Sequence, residues 1–162
     1  RIITDFLKRW HALQRETIDS IDGIMLLDDI VGFIGEEDFL EFAYPYLKEL
    51  YEVPVSVKLF HNDADCRASV KYYADMGVNL YNPGIYLSLS ELREMTQDHL
   101  PILGLIPPRD VLAAGTPEQV KSEVRKLKEE AHGFSRLVFS CGGGMPPGVR
   151  TENIRAFLEG LT

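Results

Sequence analysis

The chain has 162 residues, enough for one domain with a substantial core and short for two. Hydrophobic residues make up 45% and charged residues 26%, a globular balance that excludes a disordered tail, a collagen-like repeat and a coiled coil. The net charge of −8 disfavours nucleic acid as a partner, and no apolar run approaches the roughly 18–20 residues of a membrane span.

The apolar periodicity predicts a helix over residues 4–18 through Phe6, Leu7, Trp10, Leu13 and Ile18. The opening RIITDFLKRW reads as the middle of a helix and lacks a secretory layout, so the sequence is expected to be part of a longer one. Two cysteines, Cys66 and Cys141, are too few for a disulfide framework and suit a reducing, cytoplasmic compartment. A strand over 23–29 ends in two carboxylates, and a helix over 36–51 follows, which Pro45 should bend or interrupt.

Residues 54–61 read as a strand, 65–77 as a helix stopped by Gly77, and 78–84 as a strand running into a Pro-Gly turn. A short helix follows over 89–96, with Ser88 or Ser90 as its cap, then a strand over 101–108 and one or two helical turns. Thr116-Pro117-Glu118 is the clearest helix start, with a capping hydroxyl, proline at the first position and then an acid; that helix should reach His132 and stop at Gly133. A last strand spans 136–144, and Thr151 is expected to cap a final helix over 152–161. The fold expected is a single α/β domain over 1–162, with five strand–helix units around a parallel sheet.

In parallel α/β folds, ligands bind where strands deliver their carboxyl ends. Those ends read Asp28-Asp29, His61-Asn62-Asp63, Asn82-Pro83-Gly84, Leu105-Ile106-Pro107-Pro108 and Cys141-Gly142-Gly143-Gly144. Asp28 and Asp29 are either acceptors for backbone N–H groups in their own loop or catalytic carboxylates. His61 and Asp63, two residues apart, share one face of an extended segment, so they can hold a metal or form an acid–base pair. Cys141 is either a small buried residue or a soft ligand meeting His61. Gly142, Gly143 and Gly144 make a bare loop for substrate approach, and Asn62 and Asn82 join them as substrate-binding candidates. The loop lacks the Lys-Ser/Thr ending of a P-loop and the G-x-G-x-x-G of a dinucleotide site. His11, His99 and His132 are expected on the surface.

Three stretches resemble one family: Phe42-Ala43-Tyr44-Pro45-Tyr46 after Gly32, Gly115-Thr116-Pro117-Glu118-Gln119-Val120, and Pro147 followed by Thr151-Glu152-Asn153-Ile154. In that order and spacing they are similar to the uroporphyrinogen decarboxylase superfamily, over about residues 23–161. The resemblance implies a TIM-type (β/α)8 barrel, with this chain as a partial barrel from its carboxyl-terminal part. The paired arginines and the aspartate that the decarboxylases use would then lie in the remaining portion. It further implies two departures from the decarboxylases: Asp29 aligns with a serine and Gly143 with a histidine. The related methyltransferases bind zinc through a His-x-Cys pair and a later Cys, where this chain has His61, Asp63 and Gly143, with Cys141 two residues earlier.

Three functional expectations follow. The first is decarboxylation of a tetrapyrrole carboxylate without a cofactor, with Asp28, Asp29 and His61 as catalytic residues. The second is methyl transfer between a corrinoid and a thiol, with Zn²⁺ on His61, Asp63 and Cys141. The third is that the chain alone is a non-catalytic piece that self-associates, because five parallel strands leave bare edges.

Overall fold

Five short parallel strands pair in chain order, and the register of those pairs decides which side chains share a face. The computed structural model describes residues 1–162. The first helix, α1 (Ile2–Thr17), leads into β1 (Gly23–Leu27). Then come α2 (Glu36–Asp38), a π-helical turn over Phe39–Ala43, and α3 (Tyr44–Tyr51). The widened turn sits just ahead of Pro45, which falls in the first turn of α3, where a missing N–H costs no helical bond. The remaining elements are β2 (Val57–Asn62), β3 (Leu80–Pro83), α4 (Leu89–Thr96), β4 (Ile102–Ile106), α5 (Pro117–Glu130), β5 (Leu137–Cys141) and α6 (Thr151–Leu161).

The sheet order is β1-β2-β3-β4-β5 and every pair is parallel. Partners side by side point to the same face, and successive residues to opposite ones. Leu26, Phe60, Tyr81 and Ile102 therefore share one face, with Ile106 and Cys141 further along it. That face is buried beneath the helices and carries the core, where Tyr73 meets Phe60 and Tyr81 edge-on with centroids 4.8 and 5.0 Å apart. The other face, with Met25, Leu27, Leu59, His61, Asn82, Leu105 and Ser140, carries no helix. Met25 and Leu27 are 52% and 66% exposed there. This arrangement is a partial barrel: the helix layer is in place, and the face that would line a barrel interior is open.

Two capping boxes set helix starts as the sequence predicts. Ser88 and Glu91 bond reciprocally at α4, and Thr116 and Gln119 do so at α5 with Pro117 at the first position. At α6 the expectation fails: Thr151 is the first helical residue rather than the cap. The first turn closes on the Arg150 carbonyl, which accepts from the Asn153 and Ile154 amides.

Two further expectations are corrected. Residues 65–77 form consecutive turns with a 3-10 segment at Val70–Tyr72, not an α-helix. The buried side chains there include Cys66, Ser69, Val70, Tyr73 and Met76, and a spacing near three suits the tighter 3-10 geometry, which eclipses i and i+3. His11 is buried, its Nε2 3.3 Å from the Gly23 carbonyl oxygen. The face of α1 that packs inward runs through Thr4, Leu7 and His11, while the apolar Phe6, Trp10 and Leu13 stay exposed. Arg1 and Lys8 tie the helix to Glu49 on α3.

Candidate functional site at the carboxyl end of the sheet

All five strands deliver their carboxyl ends to one end of the sheet, and the polar strand-end residues divide there between its two faces. His61 lies on the open face beside Asn82, in register with it. Its side chain is 13% exposed. Nδ1 is 2.8 Å from Asn82 Oδ1 and Nε2 is 3.5 Å from Asp63 Oδ2. The predicted sharing of a face by His61 and Asp63 is thus present, with the carboxylate at the imidazole's outer edge. Asn82 is itself buried, and its Nδ2 donates to the carbonyls of Leu103 (2.6 Å) and Cys141 (3.4 Å).

Asp28 and Asp29 follow β1 directly, and both engage backbone amides. Asp28 Oδ1 accepts from Ile30 N at 2.9 Å, and partial burial pushes its carboxyl above the usual carboxylate range. Asp29 Oδ1 accepts from Asp63 N at 2.7 Å, which pins the β2 loop to the β1 loop. Asp29 remains exposed. Asp28, Asp29 and Asp63 thus bring three carboxyl groups to this end of the sheet, and the basic side chain that faces one of them is His61, 3.5 Å from Asp63.

Asp63 reaches its place because Gly143 lacks a side chain. Gly143 has φ +69°, and a Cβ there would fall against the Asp63 carboxylate, with Cγ at 3.0 Å. A residue larger than glycine and the Asp63 carboxylate therefore compete for one space. The amides of Gly142 and Gly143 are taken by the carbonyls of Ile106 (2.9 Å) and Pro83 (3.1 Å), whereas Gly144 lies in open space. As a bare approach for substrate, the loop is thus reduced to Gly144.

Two candidates sit on the wrong face. Asn62, expected to bind substrate, is fully buried on the helix side, where Oδ1 accepts from Ala64 N at 2.7 Å and shapes the turn. Cys141 packs behind the sheet with Leu112, Val120 and Ala156, and its Sγ approaches the Gly143 carbonyl at 3.5 Å. The two-residue period of a strand turns both away from His61. No three His, Cys, Asp or Glu side chains converge in a metal-binding group. The zinc set of His61, Asp63 and Cys141 is therefore not assembled: only the first two meet, and the residues present do not fit a three-ligand centre.

Arg109 is a residue the sequence reading passed over. It follows Pro107-Pro108 at the end of β4, is exposed and makes no ion pair. Its signal was available, as a cation directly after a strand end.

Comparison with known proteins follows the same lines. A family model described as uroporphyrinogen decarboxylase matches residues 2–161. A uroporphyrinogen decarboxylase of Chlorobium phaeobacteroides is 28% identical over 97% of this chain and 46% of its own length. One from Chlorobaculum tepidum is 27% identical, with the same coverage. The chain thus spans about half the length of the curated relatives it matches. Among solved structures, a methyltransferase from Methanosarcina mazei superposes with a TM-score of 0.72 at 19% identity, over 87% of this chain and 42% of that one. At that identity the likeness is one of fold. No helix is long and apolar enough to cross a membrane.

Proposed function

Since this chain belongs to the uroporphyrinogen decarboxylase family, we propose that it supplies the carboxyl-terminal strand ends of a decarboxylase-like site acting on a tetrapyrrole carboxylate. The observation that carries the reading is His61, inward on the open sheet face with Asp63 at 3.5 Å from Nε2. Loss of CO2 from a pyrrole acetate begins with a proton added to the ring carbon next to the one that bears the acetate. The C–C bonding electrons then flow into the cationic ring as CO2 leaves, the exocyclic methylene so formed takes a proton, and the ring carbon gives up the proton it first received, which restores the neutral pyrrole with one proton consumed in all. An imidazole is suited to carry such protons near neutral pH. Carboxylates facing the ring stabilise its transient positive charge, and Asp29 and Asp63 are the exposed ones here. The same charges repel the substrate's remaining acetates, so those must rest on cations. Arg109, free of ion pairs at the end of β4, is the candidate within this chain.

A second reading, metal-assisted methyl transfer, is favoured by one observation: an imidazole nitrogen and a carboxylate oxygen, both acceptable zinc donors, face each other. A third donor would have to come from outside the residues gathered here. In either case we place the protein in a reducing, cytoplasmic setting and take it to function as an oligomer, because the open sheet face is apolar.

The test is an absorbance titration of the purified protein with uroporphyrin, with metal analysis on the same sample. Saturable binding that weakens in Arg109→Ala, without stoichiometric zinc, supports the tetrapyrrole reading. Near-stoichiometric zinc that disappears in His61→Ala overturns it in favour of methyl transfer.

A further inference from the structure

We propose that Asn82 is a positioning residue that holds His61 as its Nδ1–H tautomer, so that Nε2 carries the lone pair the site presents to a substrate. This rests on the reading of His61 as the proton-handling group.

The assignment follows from which atoms can donate. One end of the Asn82 amide lies 2.6 Å from the Leu103 carbonyl and 3.4 Å from the Cys141 carbonyl. Carbonyl oxygens only accept, so that end is the NH2 group. The other end, Oδ1, is therefore turned to His61 Nδ1 at 2.8 Å, and an amide oxygen cannot donate. The proton in that bond belongs to Nδ1. A neutral imidazole has one N–H, which leaves Nε2 unprotonated. Flipping the amide would set its oxygen against two carbonyl oxygens at a buried position.

The tertiary structure makes this lock rigid. Asn82 sits in register with His61 on β2 while its amide reaches β4 and β5, so one side chain ties the imidazole to two further strands. On the outer side, Asp63 faces Nε2, held by the Asp29–Asp63 backbone bond and by the space at Gly143. A proton taken up at Nε2 thus produces an imidazolium bonded to Asn82 on one edge and facing a carboxylate on the other. Asn82 touches neither end of that transfer.

The test is a long-range 1H–15N spectrum of 15N-histidine-labelled protein at about pH 9, where imidazoles are neutral. The four histidines are assigned by the signals that vanish in His61→Gln. His61 is expected to show a protonated, pyrrole-type Nδ1 and a pyridine-type Nε2. In Asn82→Ala the two signals exchange or average. A wild-type spectrum with Nε2 protonated overturns the inference, as does an unchanged pattern in Asn82→Ala. The wild-type spectrum decides even if Asn82→Ala does not fold. The tautomer is read without turnover, so a failure of the decarboxylase reading leaves this result standing.

Discussion

Alanine at Gly84 is expected to destabilise the protein more than alanine at Gly143, although both would press on Asp63. At Gly84 the new Cβ would fall on the Asp63 carbonyl oxygen, with the carbonyl carbon at 2.9 Å and Cα at 3.0 Å. All three are backbone atoms, and that backbone is held by Asp29 through Asp63 N. Relief requires the β2 and β3 loops to part, which breaks the Gly84 N to Asn62 O bond. Overpacking of this kind costs about 1–3 kcal/mol and the lost bond about 1 kcal/mol more, so a loss of roughly 2–4 kcal/mol is expected. At Gly143 the obstacle is the end of a half-exposed carboxylate, which can swing into solvent. The cost there comes from the left-handed backbone, about 1–2 kcal/mol for a residue with a Cβ. Thermal unfolding followed by circular dichroism separates the two, since 1 kcal/mol corresponds to roughly 2–4 °C in Tm for a domain of this size. Gly84→Ala within about 0.5 kcal/mol of wild type, the usual range of a neutral surface change, would refute the reasoning.

Asn153, fully buried on α6, donates to the carbonyls of Leu112 and Gly115; Asn153→Ala should cost about 1–3 kcal/mol in the same unfolding assay by removing the donor to Leu112, while Arg150 still donates to Gly115. Burial raises the Asp28 carboxyl against the opposing pull of the Ile30 and Val31 amides. The folded state therefore keeps that proton to a higher pH than the unfolded chain, and the group's contribution favours folding as pH falls and is lost as pH rises through the raised value. Asp28→Asn, which keeps the acceptor to Ile30, should flatten this part of the stability–pH curve and stabilise the protein at neutral pH; unfolding free energies across about pH 4–7 read the difference. The open sheet face should make the purified chain self-associate, and Leu27→Lys with Val138→Lys should shift light-scattering masses toward the monomer.

Much of the architecture is legible in the sequence because it is local. The strands, the capping boxes at Ser88 and Thr116 and the turn at Pro83-Gly84 follow from propensity, caps and period, and they already imply a parallel α/β sheet with a site at its carboxyl end. The spacing of His61 and Asp63 placed both on one face. The same period of two, applied to Asn62 and Cys141, separates them from His61, but which parity faces the helices depends on what packs behind the sheet. His11 is buried for the same reason: α1 turns its Thr4–Leu7–His11 side inward and leaves Trp10 outside. Residues 65–77 fold as consecutive turns because their buried side chains fill the space beside Tyr81 and Phe60 at a spacing near three. The sequence by itself therefore determined the elements, their order and the strand ends where polar groups gather. Only the tertiary structure decided which of those groups meet across strands: His61 with Asn82, and Asp63 with the vacant side-chain space at Gly143. Those meetings join residues 21 and 80 positions apart, and register and loop geometry, which no local pattern encodes, bring them together.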